Sequence, residues 1–345
     1  MNNGKPLVGV VYEVFVPNPK ADKRELSEET VEEMAREAYE AVLGLGYPAV
    51  LIPVKESFLG FLRRIHEVKP DVVINLCESF NGTTNLESNV AAIYELLRID
   101  FTGNVMRALS LCQDKFKAKA VLASHGLPTP ACRLITTADE PIDLKFPVIA
   151  KPNGEDASMG VTPQSVVRDE ESLRLLIRSI LARFVPPVLV EEFIDGQEFN
   201  VAILGGDEPR ALPVSEIDFS AMPKDLPRII SYEAKWYENH ELYIKTPPIC
   251  PAPIDDDLRR RLQDQALRAF QVMGCRDYAR VDFRMDKRGR LFILEVNPNP
   301  DISLNAGYAR ALKAAGIDYG QFWKQMIHNA WHRSGTNGSA YGPVR

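Results

Sequence analysis

Four side chains near the C-terminus carry the densest chemistry in the chain: Arg280, Asp282, Glu295 and Asn297, within YARVDFRMDKRGRLFILEVNPNPD at 278–301. The segment reads as two strands, 278–285 and 290–296, joined by the turn Asp286-Lys287-Arg288-Gly289. Asp and Gly are turn formers, and the flanking runs are rich in branched and aromatic residues. Symmetric closure of that turn sets Arg280 opposite Glu295 and Asp282 opposite Ile293. Side chains alternate faces along a strand, so all four share one face, with Asp282 and Glu295 as diagonal neighbours about 7–8 Å apart. Two carboxylates and an amide oxygen are hard ligands suited to Mg²⁺, which takes few protein ligands and completes its shell with water and phosphate. An arginine beside them suits a negatively charged reacting group. A structural ion-pair network on an ordinary hairpin accounts for the same residues, so the rest of the chain has to decide.

The preceding elements are those of an α/β chain. Apolar runs at 7–11, 49–53 and 71–76 alternate with helical periodicity at 31–45, 58–68 and 86–97. Near-continuous apolar strands between helices indicate a parallel sheet covered on both sides, which makes residues 1–107 one α/β domain. A lysine-rich helix at 113–124 carries Lys115, and a strand at 146–151 delivers Lys151 into PNGEDASMGV, which contains Ser158. That small, polar, Gly-containing segment is able to point backbone N–H groups at an anion; a plain surface hairpin is the alternative. The run 187–194, PVLVEEFI, is an apolar strand ending in Glu191 and Glu192, and 199–205 is another strand. The polar-aromatic segment 231–239 breaks both strand and helix periods and is expected to be a loop holding Lys235. Helices are expected at 255–273, 307–315 and 319–333, and a Gly/Ser-rich disordered tail at 334–345.

Composition excludes several classes. The 345 residues are 45% hydrophobic and 26% charged, with a formal net charge of −6, which gives no general attraction to nucleic acid. No apolar run approaches the roughly 18–20 residues of a membrane span, and the N-terminus enters a strand pattern directly, so no signal peptide is expected. Five cysteines, Cys77, Cys112, Cys132, Cys250 and Cys275, lack CxxC spacing and read as buried reduced thiols of a cytoplasmic protein. GLGYPA at 44–49 has the spacing of a dinucleotide fingerprint but follows a helix and opens a strand, the reverse of the required context. No G-x-x-x-x-G-K-[ST] loop exists. His328 and His332 are four apart without the Glu of H-E-x-x-H, and read as residues of an amphipathic tail helix.

Taken together, the motifs resemble the ATP-grasp superfamily, and within it the D-alanine–D-alanine ligases, from about residue 5 to 330. RIDFTGN (98–104), CQDKFKAKAVLASHGLPTP (112–130), VIAKPNGEDASMG (148–160), VEEFIDGQEFNVAI (190–203), YEAKW (232–236) and ARVDF…LEVNPNP occur in the family's order. The resemblance implies a Rossmann-like N-terminal domain (1–107) followed by two α+β lobes, 108–190 and 191–333, that clamp ATP. It implies that Lys115, Lys151 and Ser158 contact ATP phosphates and that the backbone of Glu191, Glu192, Phe193 and Ile194 reads the adenine edge. Glu198 would bind the ribose and Lys235 the terminal phosphate. Asp282, Glu295 and Asn297 would hold two Mg²⁺, with Mn²⁺ an acceptable substitute, and Arg280 would stabilise the transferring phosphoryl group and a later oxyanion.

The activity implied is an ATP-dependent carboxylate–amine ligase working through an acyl phosphate on small-molecule acids and amines. The family's amino-acid pockets are rewritten. Tyr12-Glu13 replaces its Gly-Gly, Lys23, Ala157 and Trp236 stand for its loop-linking Glu, Ser and Tyr, and Ala306 replaces its carboxylate-binding Ser. Products other than D-Ala-D-Ala are therefore expected, with Glu78 and Asp301 as candidates for a substrate ammonium. A small-molecule kinase and a non-catalytic nucleotide-binding protein remain as alternatives, and homodimerisation through the N-terminal domain is a further implication.

Overall fold

A computed structural model describes residues 4–14, 25–55, 57–155 and 158–337. Strands β1 (Val8–Glu13), β2 (Ala49–Val54), β3 (Val72–Asn75) and β4 (Asp100–Phe101) form a parallel sheet in the order β2-β1-β3-β4. Alternate residues of β1 enter different cores. Val8, Val10 and Tyr12 pack with helix Glu25–Gly44, whereas Val11 packs with Phe61, Ile65 and Tyr94 of the helices on the other side. Burial on both faces is why these strands read as unbroken apolar runs. The two-residue β4 was not anticipated; it is too short to carry a period.

The second sheet, β5-β8-β6-β7, is antiparallel and comprises β5 (Cys132–Ile135), β6 (Val148–Pro152), β7 (Val166–Val167) and β8 (Val188–Glu192). Val148, Ala150, Val188 and Val190 bury one face under Leu173, Ile177 and Ile180 of helix Glu170–Leu181. Lys151 and Glu191 alternate with these residues and lie on the opposite face.

The third sheet runs β12-β11-β9-β13-β14, with β10 on β9, from β9 (Gly196–Leu204), β10 (Arg210–Ala211), β11 (Ser215–Ile217), β12 (Pro248–Ile249), β13 (Tyr278–Asp286) and β14 (Leu291–Asn297). Phe199, Val201, Val281, Phe283, Ile293 and Val296 pack on helix Asp256–Val272 and on Ala118 and Leu122 of helix Lys115–Ser124. The other face carries Glu198, Asn200, Arg280, Asp282 and Arg284 in cross-strand register. Farther along β9 that same face turns apolar, and Ala202 and Leu204 join Tyr278, Tyr308, Phe322 and Trp323.

The last two helices, Gly307–Ala314 and Tyr319–Asn337, therefore return to the N-terminal sheet and share one core with β1 and helix Glu25–Gly44. Polar ties reinforce this closure. Asn104 Nδ2 donates to the carbonyls of Tyr278 (2.8 Å) and Pro298 (2.5 Å). Arg333 forms a two-pronged ion pair with buried Asp277 at 2.6 and 2.9 Å.

Several expectations need adjustment. The boundary at 107/108 falls inside helix Met106–Gln113, and the one at 190/191 inside β8. Of the expected disordered tail, 334–337 complete the final helix and 338–345 lie outside the described residues. The expected loop at 231–239 contains a helix, Tyr232–Trp236, capped by the Ser231 hydroxyl. Five residues are too few to show a period. The cysteines are all free, but only Cys77 and Cys112 are buried; the other three are half-buried. Among the described residues no helix is long and apolar enough to cross a membrane.

Trp323 is fully buried in the shared core. Trp323→Ala is expected to lower unfolding free energy by about 3–5 kcal/mol, read from urea denaturation. A loss under roughly 1 kcal/mol would show that the final helix contributes little to that core.

Candidate active site

The hairpin differs from its symmetric expectation in a way that improves the site. Met285 pairs with Leu291, and Phe283 with Ile293, one residue later than symmetric closure gives. A β-bulge then shifts the register again, so Asp282 stands directly opposite Glu295 and Arg280 opposite Asn297. One shift alone would turn Glu295 to the far face, because a one-residue slip exchanges the faces of a strand. Two shifts restore it. Asp282 and Glu295 are thus direct partners and not diagonal ones, and all four predicted side chains do share one face.

Such a pair of carboxylates repels unless cations surround it. Arg280 supplies the first: its Nε and Nη2 donate to the two oxygens of Asp282 at 2.7 and 2.8 Å. Burial would lower the Arg280 pKa, but Asp282, Glu295 and Asp301 raise it, so the guanidinium stays charged. Lys115 Nζ lies 4.0 Å from Glu295 Oε2 and donates to the Glu155 carbonyl at 2.7 Å. Burial pushes the Glu295 carboxyl up, and Lys115, Lys151, Arg280 and Lys235 more than offset it, holding Glu295 ionised. Lys235, stacked on the Trp236 ring at 4.9 Å, is lowered by burial and by Arg280, against the pull of Asp301, Glu78 and Glu295.

One cavity gathers Glu78, Lys235, Arg280, Glu295, Asn297 and Asp301. The two loops over it are tied together: Tyr232 N donates to the Val161 carbonyl at 3.0 Å, and Ser158 Oγ to the Ile230 carbonyl at 3.2 Å. Ser158 adopts φ +61°, a left-handed conformation uncommon for a residue with a Cβ. Asn299 anchors the floor, donating to Glu87 Oε1 at 2.8 Å and to the Cys77 carbonyl at 3.1 Å.

At the other end, Glu192 N and Phe193 N already donate to the carbonyls of Ala131 and Pro147, both at 2.9 Å. The Glu192 side chain accepts from Lys145 N at 3.3 Å. The Glu191 carboxylate does not face solvent; it is buried between Lys151 Nζ at 2.8 Å and Lys119 Nζ at 2.9 Å. Glu198 pairs with Arg284 at 2.7 Å, and burial raises its pKa against that pairing. Arg284 also donates to the carbonyls of Ile194 (3.1 Å) and Arg228, with its guanidinium over the rings of Phe193 and Phe219.

Lys119, Arg284 and Asn299 are the residues that sequence reasoning missed. Arg284 was legible, two positions beyond Asp282 on the same strand face. Lys119 follows Lys115 by four residues, the spacing of one helix face. Asn299 lies within the quoted LEVNPNP motif, two positions beyond Asn297. Lys23 and Ala157 lie outside the described residues.

The donor set fits a divalent cation by its chemistry. Two opposed carboxylates sit beside Asn297, whose Oδ1 accepts one bond, from Asn299 N at 3.0 Å, and an amide oxygen has a second lone pair. Among the described residues no group of three or more His, Cys, Asp or Glu could hold a metal by itself, so a bound ion would draw further ligands from water or substrate oxygens.

The arrangement of sheets and cleft is that of an ATP-grasp protein. A D-alanine–D-alanine ligase of Bacillus anthracis complexed with ATP shares this fold with a TM-score of 0.75 at 20% identity, covering 96% of this chain and 100% of that one. Residues 122–328 match the family model for the D-Ala–D-Ala ligase C-terminus. A D-alanine–D-alanine ligase of Bordetella pertussis is 31% identical over 297 residues, 85% of this chain and 87% of the relative. The uncharacterized protein y4sG of Sinorhizobium fredii is 31% identical over 299 residues, 85% and 86% of the two chains. The chain belongs to the D-alanine–D-alanine ligase family of ATP-dependent ligases.

Burial raises the Glu191 carboxyl, but Lys119 and Lys151 lower it further, from 4.5 to about 2. A depressed folded-state pKa contributes stability that is present above 4.5 and is lost as pH falls through about 2. Urea unfolding between pH 5 and 2.5 is expected to show a shallower acid loss in Glu191→Gln than in the parent. Parallel profiles would assign the acid sensitivity elsewhere.

Proposed function

We propose that the chain is a carboxylate–amine ligase that forms an amide bond at the expense of ATP, with substrates other than two D-alanines. The observation that carries this reading is the convergence of Arg280, Glu295, Asn297 and Lys235 with Glu78 and Asp301 in one cavity beneath two joined loops. Lys115, Lys151 and Ser158 are assigned to the ATP phosphates, the Glu191–Ile194 backbone to the base and Glu198 to the ribose. Asp282, Glu295 and Asn297 would hold Mg²⁺, which when bound neutralises phosphate charge and aligns the terminal phosphoryl group.

A substrate carboxylate oxygen attacks the terminal phosphorus, the bond to the ADP oxygen breaks, and an acyl phosphate forms. Arg280 and Lys235 stabilise the charge on the transferring group. The amine nitrogen then attacks the acyl carbon. The tetrahedral adduct collapses with loss of inorganic phosphate, and the amine proton passes to solvent. The joined loops exclude the water that would hydrolyse the acyl phosphate.

The substrate half supports a changed specificity. Glu13, at the position of a family Gly, accepts from Ser79 Oγ and from Gly82 N (2.8 Å), so it shapes the 79–82 turn. Trp236 stacks on Lys235 where the family has a Tyr. Losing a polar group built to bind one substrate changes discrimination by several kcal/mol. Glu78 and Asp301 are assigned to a substrate ammonium.

Incubation with ATP, Mg²⁺ and pools of amino acids and short peptides should release phosphate only when an acid and an amine are both present, with the condensed product seen by mass spectrometry. ADP release without free phosphate would indicate a kinase. Asp282→Asn and Glu295→Gln are each expected to lower turnover by about 10²-fold or more. Undiminished turnover in both would refute the hairpin assignment.

A further inference from the structure

Lys119 touches none of the side chains assigned above to substrate, yet it is only 3% exposed and links both halves of the cleft. It lies one turn beyond Lys115 on helix Lys115–Ser124. Its Nζ donates to the Leu294 carbonyl at 2.8 Å and lies 2.9 Å from Glu191 Oε2, off the favoured hydrogen-bond direction, so the latter contact is an ion pair. The other Glu191 oxygen is 2.8 Å from Lys151 Nζ.

Leu294 is the extra residue of the bulge, between the pairs Asp282/Glu295 and Phe283/Ile293. A bulge residue is left unpaired in the ladder, so its half-buried carbonyl is free to take another donor. Lys119 is that donor, and a charged one is stronger than a neutral one. Glu191 and Lys151 belong to the second sheet, Leu294 to the third. Lys119 thus joins the two sheets one residue from Glu295, the carboxylate assigned to the cation.

We propose that Lys119 is a positioning residue: by holding the Leu294 carbonyl in the bulge beside Glu295, it sets the affinity of the site for a nucleotide bound with a divalent cation. The inference rests on the ligase reading above. A purely structural Lys119 would affect nucleotide binding with and without the cation alike. A positioning Lys119 acts through Glu295, so its loss falls on the cation-bound form.

Calorimetric titration of the whole chain with ADP, once with Mg²⁺ and once in EDTA, separates the two. Lys119→Met is expected to weaken Mg²⁺-dependent ADP binding by about 10–100-fold, the usual effect of removing a group that orients a metal ligand. Binding in EDTA should stay close to that of the parent, and Lys119→Arg, which keeps a charged donor, should recover most of the loss. Equal weakening in both conditions, or none in either, overturns the proposal. Should Lys119→Met fail to fold, Lys119→Met/Glu191→Gln removes both charges together and is read by the same comparison. A parent protein that binds ADP in neither condition would sink the ligase reading as well. Unchanged binding in variants of a competent parent sinks only this inference.

Discussion

Two carboxylates facing each other across adjacent strands are the constraint from which the rest of the molecule follows. Asp282 and Glu295 would repel on an isolated hairpin. They are tolerated because Arg280 is bound to one and Lys115, Lys151 and Lys235 surround the other. Those cations come from four different elements: the strand itself, helix Lys115–Ser124, β6 and helix Tyr232–Trp236. No single lobe supplies the balance. The closure of the lobes is therefore an electrostatic requirement of the hairpin as well as a means of enclosing a substrate, and the polar face of β13 and β14 stays ionised because the chain folds back around it.

The same logic separates rigid from adaptable parts. The floor is fixed by short, charge-assisted contacts: Lys119 to Leu294, Glu191 to two lysines, and Arg284 to Glu198 and the Ile194 carbonyl. The roof is joined by single neutral bonds, Ser158 to Ile230 and Tyr232 to Val161. Neutral bonds of this kind contribute about 1 kcal/mol each, and charged ones up to twice that or more. Parting the two loops from each other is thus the easier motion, while the charged bond from Lys115 to the Glu155 carbonyl keeps the first of them on the floor.

Much of this was legible in the sequence because period-2 alternation is robust. Arg280, Asp282, Glu295 and Asn297 share a face under any register displaced by an even number of residues, and the two single-residue shifts in the hairpin add to two. Which carboxylate opposes which was not legible, since a bulge has no sequence mark when its extra residue is a leucine. Lys119 was hidden for a related reason: a lysine on a helix is ordinarily solvated, and its burial depends on Glu191, more than seventy positions away. The parallel N-terminal sheet was readable from its apolar runs. The return of the last helices to that sheet was not, because an apolar helix face does not name its partner.

The substrate end of the cavity shows where family likeness stops carrying an argument. Glu13 is positioned by the 79–82 turn, and Asp301 Oδ1 accepts from Ser303 N at 2.9 Å. A carboxylate that already shapes a turn has a fixed direction, and a fixed carboxylate selects by geometry more sharply than a flexible one. In the proposed reaction Arg280, Glu295 and Asn297 act on phosphate, which every substrate pair would share. In the same reading, residues around the turn and Trp236 face what differs between substrates. Selection can therefore change at Glu13 without touching the hairpin, whereas Asp301, which acts on Arg280 and Lys235, and Trp236, which stacks on Lys235, tie the substrate end to its counter-charges.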